Sequence, residues 1–535
     1  MADAVVTPAA PWRGYLDAPD GRRGIRSWIF STDHKRIGVL YLWSVLAFFA
    51  VGVALGLLMR LESIAPGPTI MSARAYNAFF TLHGVIMIFL FIIPAVPASM
   101  GNFFLPLQIG ARDVAFPRLN LLSWWVYVTG AVLALLAMFA GGHPPDTGWT
   151  FYVPYSVRTD TNVSLAVLAA FVLGFSSILT GLNFITTVHT MRMKGMGWFR
   201  IPLFTWGIYA TAWVQVLATP IIAVTLLLVV LERVAHLGLF DPVRGGDPLL
   251  FQHLFWIYSH PAVYIMIIPA MGIISEVIPA FSGKRIYGYR AIVYSSLGIA
   301  FAGYLVWGHH MFTSGMSDTA RWIFSFLTFI VAVPSGVKVF NWVATLYKGS
   351  IDLSASLLYA LSFIFLFSIG GLTGLVNGAL AVNVHVHDTY WVVAHFHYVM
   401  FGGTGFAVFA GLLYWFPKMT GRMVPKAPAI VAWFLMFAGF NILYLPMFVL
   451  GWMGMPRRYY DYLPELQPLH VMATVGSWIL AAGLVVLAAT LLRALRHGDP
   501  APANPWGARG LEWQTPSPPP TENFEIEPVL GDERP

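Results

Sequence analysis

The sequence predicts an all-α, polytopic membrane protein with twelve transmembrane helices. Three observations carry that expectation. Of 535 residues, 58% are hydrophobic and only 10% are charged, whereas a soluble chain of this length carries about 25% charge. Apolar runs of about 20 residues, long enough to cross a bilayer, occur twelve times along the chain. Histidines fall inside several of those runs, where an imidazole is costly unless it is paired, hydrogen-bonded or bound to metal.

The runs lie near 37–60, 80–106, 118–140, 162–189, 203–231, 251–280, 288–313, 322–347, 353–381, 390–416, 428–454 and 469–493. An even number of spans puts both termini on one side. Most of the 31 Lys and Arg lie in the termini and in the loops after even-numbered spans, so the positive-inside rule makes both termini cytoplasmic. Three parts follow: an N-terminal segment 1–36, a membrane domain 37–493, and a Pro-rich tail 494–535 that reads as an extended strap or a disordered segment. The net charge of +7 is spread through short loops and is no nucleic-acid signal. The chain has no cysteine, which excludes disulfides, thiolate metal sites and iron–sulfur clusters. Its 15 His and 21 Met are the soft ligands available.

Taken in order, the spans carry a distinctive set of polar residues. The second holds His83. The sixth holds YSHPAVY, in which His260 and Tyr264 are four apart and share one helical face. The seventh ends in adjacent His309 and His310, and the eighth carries Lys338 with Thr328 and Ser335. The tenth begins HVHDTYWVVAHFHYVM, residues 385–400, with His385, His387, His395 and His397. At 3.6 residues per turn, His395 and His397 point about 200° apart, so they cannot share one metal on one face and can hold two different groups from one helix. Imidazole suits copper, iron and zinc. His260, His309 and His310 can surround one metal. His83 and His397 can ligate one iron axially from two helices, and His395 is left as the single axial ligand of a second iron. An open haem face beside a second metal is a site that reduces a small diatomic. The plain alternative is that each histidine is polar glue between helices, which does not account for six in four spans.

With these motifs in view, the chain strongly resembles subunit I of the haem–copper oxygen reductases, the cytochrome c oxidase family. The likeness runs over about residues 27–480 and includes STDHKRIG, GNFFLPLQIGARDVAFPRLN, WGHHMFTSGM, VPSGVKVFNW and GMPRRYYDY. It implies that fold, a low-spin haem a on His83 and His397, and a high-spin haem, a or o, on His395. It implies copper on His260, His309 and His310, and a Tyr264 joined covalently to the first copper histidine. Arg457 and Arg458 resemble the pair that holds haem propionates, two forked guanidiniums suited to carboxylates. Arg60 resembles the arginine beside the low-spin formyl group. His387 and Asp388 resemble ligands of a magnesium shared with subunit II. Two proton routes are implied. One runs through Thr328, Ser335, Lys338 and Ser275 to Tyr264, and the other through Asp113, Asn120, Asn102, Asn183, Ser176 and Ser177.

One departure stands out. Most relatives end the second route in a glutamate directly after HP, and here that position is Ala262, preceded by Tyr258 and Ser259. The chain resembles the A-type branch with this Tyr-Ser replacement, some of whose members carry a cytochrome c domain fused to subunit II. The implied partners are subunit II with its copper pair, subunit III, cytochrome c or another respiratory complex as electron donor, O2 and the lipid of a bacterial inner membrane; nucleic acid is not among them. Two competing readings are a nitric oxide reductase, opposed by Tyr264 and the Lys338 route, and a secondary transporter, in which histidines at these offsets would have no role.

Overall fold

The computed structural model describes residues 14–17, 24–140, 142–524 and 528. Long apolar stretches become helices because, away from water, each backbone N–H must find a carbonyl within its own segment. Twelve helices build the bundle: α1 (His34–Glu62), α2 (Ala73–Gln108), α3 (Pro117–Phe139), α4 (Val163–Thr190), α5 (Leu203–Ala235), α6 (Pro248–Ser282), α7 (Tyr289–Gly303), α8 (Asp318–Leu346), α9 (Ala355–Gly378), α10 (Tyr390–Thr420), α11 (Lys426–Trp452) and α12 (Gln467–His497). Among the described residues the only β pairing is a few isolated bridges. The helices start where capping chemistry allows. Asp33, Ser72, Asp247, Ser317, Ser354 and Thr389 each accept a backbone N–H of the first turn. Gly283 and Gly421, both at positive φ, end α6 and α10.

Among the described residues, eleven helices are long and apolar enough to cross a membrane, and α7 is the exception at 15 residues. The run at 288–313, expected as one span, stops at Gly303, and Trp307–Met311 form a separate 3-10 turn. The N–H groups of Tyr304 and Leu305 bond to Phe301 and Ala302, three residues back, which tightens and closes the helix. The rings of Tyr264 and Phe324 fill the space that side chains at 303 and 308 would need. The turn frees two adjacent histidines from the 100° spacing that a helix imposes.

Burial sorts the helices. In their most apolar windows, α10 and α6 are 89% and 83% buried and form the centre, whereas α8 is 17% buried and turns Trp322, Phe326, Val333 and Phe340 to the outside. Helices α2 and α10 each contain π-helical turns, Ile86–Ile92 and Ala95–Gly101 in the first and Met400–Gly405 in the second. Such turns occur often at functional sites, and here they follow closely on His83 and His397.

The tail forms an extended strap across one end of the bundle as far as Phe524. The fully buried Lys418 ammonium donates to the carbonyls of Thr515 at 2.6 Å, Ala503 at 2.9 Å and Pro516 at 3.2 Å. Asn523 bonds the Lys35 ammonium at 2.8 Å and the Ala111 carbonyl at 2.8 Å. Tyr15 ties the N-terminal segment to the same face, its N–H to Pro519 and its hydroxyl to Met419.

Candidate functional site

The bundle centre encloses a cavity of about 850 Å³ with a mostly apolar wall, within the range of cofactor sites. His83, His260, His309, His310, His395 and His397 all line it. Helix α6 brings His260, and the turn after α7 brings His309 and His310. Ligand nitrogens of these three lie within 4.8 Å of one another, with His260 Nδ1 3.0 Å from His310 Nε2. Imidazole nitrogens about 2.0–2.1 Å from a common ion stand at such separations, so the cluster fits a metal of copper's preferences. His309 Nδ1 is held 2.9 Å from Thr328 Oγ1, a partner of the kind that fixes a ligand's tautomer. His260 Nε2 has no hydrogen-bond partner among the described residues, and its ring lies 4.9 Å from the Tyr264 ring, centre to centre.

The remaining three imidazoles fit axial ligands. His83 Nδ1 bonds the Gly52 carbonyl at 2.8 Å, and His397 Nδ1 bonds the Val393 carbonyl at 2.8 Å. Each bond puts the proton on Nδ1 and leaves an Nε2 lone pair for iron. His395 Nδ1 lies 3.1 Å from Thr373 Oγ1 on α9, whereas the His397 ring stacks on Tyr444 of α11 at 4.3 Å. The two histidines therefore face different neighbours, as their spacing requires. A side chain at 56 or 374 would crowd His83 or His395, at 3.2 Å and 3.1 Å from their Cε1 atoms; glycine keeps both rings free.

The basic residues gather at the end of the cavity opposite the strap. Arg60, Arg457, Arg458, His387 and Asp388 all line it. Arg457 pairs with the Asp388 carboxylate and donates its N–H to the Asp388 carbonyl at 2.8 Å. Burial would raise the Asp388 pKa, but Arg457, His387 and Arg458 outweigh it and hold it low. Burial lowers Arg458 to about 10, with Arg457 adding to the effect. The Arg458 guanidinium lies where a side chain at 148 would be, 2.8 Å from its first carbon. His387 Nε2 is 3.8 Å from Asp388. Arg60 bonds His470 Nδ1 at 3.0 Å.

Of the residues expected to form the first proton file, Tyr264, Thr328 and Ser335 line the cavity. Lys338, 1% exposed, lies deeper and donates to Ser296 Oγ at 2.7 Å, while Ser275 Oγ accepts from Trp342 at 3.0 Å. Ser296 and Trp342 belong to this file's surroundings and carry no sequence signal, since a serine or tryptophan in an apolar run is ordinary.

Of the residues expected to form the second file, Asp113 sits in the loop between α2 and α3 beside the strap. Its pKa is raised from 3.8 to about 7, chiefly by burial, against a bond from the Val114 N–H. Asn183 Oδ1 accepts from the Phe116 N–H at 2.9 Å, and Asn102 donates to Ala98. Both side-chain atoms of Asn120, Asn102 Oδ1 and Ser177 Oγ are buried without partners among the described residues. Ser176 meets the Tyr41 hydroxyl at 3.0 Å, and Tyr41 also meets Ser123 at 3.0 Å. Sequence reasoning missed Tyr41 and Ser123; Tyr41 lies seven residues after His34, two turns up the same helix, which is the one trace of it. Tyr258 and Ser259 are buried on α6 but do not line the main cavity.

Fold and site together define a polytopic membrane protein in which three imidazoles that could hold a metal stand beside three more that fit axial ligands, in one apolar cavity. The family model described as cytochrome c and quinol oxidase polypeptide I matches residues 36–479, and the chain belongs to that family. It is 47% identical to cytochrome c oxidase subunit 1 of Synechocystis over 94% of this chain and 91% of that one. It is 44% identical to the probable cytochrome c oxidase subunit 1-beta of Nocardia farcinica over 99% and 91%. The identity to cytochrome c oxidase subunit 1 of Cereibacter sphaeroides is 40% over 96% and 97%. A heme-copper terminal oxidase dimer solved by cryo-EM shares the fold at TM-score 0.69 and 23% identity, over 90% of this chain and 87% of that one.

Proposed function

We propose that the chain receives electrons from cytochrome c through a subunit II, reduces O2 to water, and moves protons across a bacterial inner membrane with both termini cytoplasmic. It is the catalytic subunit of a haem–copper terminal oxidase. The observation that carries the reading is the convergence of His260, His309 and His310 on one point of a cavity that His395, His83 and His397 also line. When bound, two haems and a copper supply the electron store and the metals between which oxygen is reduced. The haems are read as haem a at the low-spin site and haem a or o at the high-spin site.

The chain's own residues position and feed that centre. Thr328 orients His309. Tyr264, one helical turn from His260, presents a phenol that can give up a proton, and its ring lies beside the unpartnered His260 Nε2, the pair that the resemblance reads as covalently joined. Arg457 and Arg458 would hold the propionates of bound haems, and Arg60 would stand beside the formyl group of a low-spin haem a. His387 and Asp388 offer two ligands to a magnesium that subunit II completes. Lys338, beside Ser296, supplies protons through Thr328 and Ser335 toward Tyr264. Asp113 opens the second file, which ends at Tyr258 and Ser259. Subunit III completes the proposed assembly.

The test is the purified complex. Its absorption spectrum should show haem a, metal analysis should find copper, and reduced cytochrome c should drive oxygen uptake. A preparation without haem, or one that oxidises only quinol, overturns the corresponding part.

A further inference from the structure

Threonines inside helices usually satisfy their hydroxyls by bonding a carbonyl one turn back. On α5, Thr225 does this, reaching Ile221 O at 2.7 Å. Thr211 and Thr219 on the same helix do not. They are 0% and 1% exposed, and their hydroxyls have no partner among the described residues. Midway between them lies Gln215, 2% exposed, whose Oε1 is also unpartnered. The three are spaced four apart and share one face of α5. A buried acceptor left unmatched costs free energy, so a row of them marks a place built to hold water.

The neighbours agree. On α4, Gly174 and Gly181 flank Ser177 at helical spacing. A side chain at 181 would stand 3.1 Å from Gln215 Cβ, and one at 174 would stand 3.2 Å from Thr219 Cγ2. The two glycines thus bring α4 close against the polar face of α5. Beside them lies a small cavity of about 30 Å³, lined among others by Ser176, Ser177, Thr180 and Gln215. That is room for one or two waters. Ser177 Oγ, on its wall, is buried and unpartnered as well.

The register of α5 on α6 sets the depth. The helices run antiparallel, with Gly207 against Ile268 and Pro269, and Gly272 against Phe204. Counting eight residues on from Gly207 and eight back from Ile268 and Pro269 places Gln215 level with His260 and Pro261, between Ser259 and Ala262. Thr219 falls level with Trp256 and Ile257, next to Tyr258. Position 262 is alanine and can carry no proton, while Ser259 Oγ is buried there without a partner.

We propose that Gln215 holds a water between Ser177 and the Tyr258–Ser259 pair, and that protons leave the Asp113 file through this water. The inference rests on the proposed function and extends it. Gln215 does not titrate, and it is a positioning residue. Its carbonyl accepts from the water, which takes a proton from the Ser177 side and releases one toward Ser259, with no net charge kept.

The experiment uses the intact oxidase complex in vesicles. Gln215→Leu keeps the volume and deletes the hydrogen bonds. It should lower both oxygen turnover and proton uptake more than tenfold, with haem absorption unchanged. Gln215→Glu, which restores an oxygen acceptor, should recover most of the rate, a rescue that a packing role would not produce. Turnover within twofold of wild type in Gln215→Leu overturns the proposal. If that variant does not assemble, Ser177→Ala decides: slowed proton uptake supports the water station, and a wild-type rate overturns it. Asp113→Asn separates the two readings. A loss there with normal Gln215→Leu refutes the station and leaves the route standing. A loss in Gln215→Leu with normal Asp113→Asn keeps the station and refutes its entrance.

Discussion

Asp113 offers a test that reads its own proton. Burial raises its pKa from 3.8 to about 7; Asp33 adds to the rise, and Lys35 and the N–H groups of Val114 and His34 oppose it. Folding therefore favours the neutral acid. The unfolded chain gives up this proton first, so between about pH 4 and pH 7 it binds fewer protons than the folded chain, and this group makes stability fall as pH rises through that window. At about 1.36 kcal/mol per pK unit the penalty reaches at most about 4 kcal/mol above pH 7 and vanishes below about pH 4. Asp113→Asn removes the charge while keeping the shape. It should be more stable than wild type at alkaline pH and equal to it in acid. Infrared difference spectra of wild type minus Asp113→Asn read the proton directly. The carboxylic acid band should be half lost near pH 7, with about a ten to one excess of acid at pH 6 and the reverse at pH 8. A band already gone by about pH 5 would refute the reasoning, because an Asp113 that titrates normally is not held in a desolvated mouth.

Other outcomes follow from the same geometry. His309→Ala should lose copper and keep the low-spin haem spectrum, whereas His397→Ala should lose that spectrum; metal analysis and absorption separate them, and full copper in His309→Ala would sink the cluster. Lys338→Met should leave both haems bound but slow reduction of the high-spin site at least tenfold in stopped-flow traces, since the ammonium beside Ser296 is gone; wild-type rates would make it a structural residue. Tyr258→Phe deletes one hydroxyl and should sharply lower oxygen turnover and proton release with normal haem spectra, while unchanged pumping would mean the route ends elsewhere. Lys418→Met strands three strap carbonyls at about 1–3 kcal/mol for each one left dry. Hydrogen exchange across 503–516 should rise more than tenfold, and unaltered protection would show that the strap is held by its aromatic contacts instead.

What was legible in the sequence was whatever a single helix dictates. The twelve apolar runs needed only length, and the opposed directions of His395 and His397 needed only the helical repeat; Thr373 and Tyr444 now occupy those two sides. The copper cluster was legible as residue types but not as geometry. Adjacent histidines on an unbroken helix would diverge, and they converge on His260 because the seventh run stops at Gly303. What stayed hidden depends on register between helices. Ser296 meets Lys338 from α7, and Tyr41 meets Ser176 from α1, and neither partner has a spacing that could announce it. Gln215 is the sharpest case. In the sequence it is one amide in an apolar run, and it acquires meaning only when Gly174 and Gly181 bring Ser177 against it and α6 sets Pro261 level with it. The missing glutamate was visible in the sequence on α6; the polar face proposed to answer it lies on α5. A search confined to the altered motif would therefore look on the wrong helix, because a proton path through a bundle is a property of the contacts between helices.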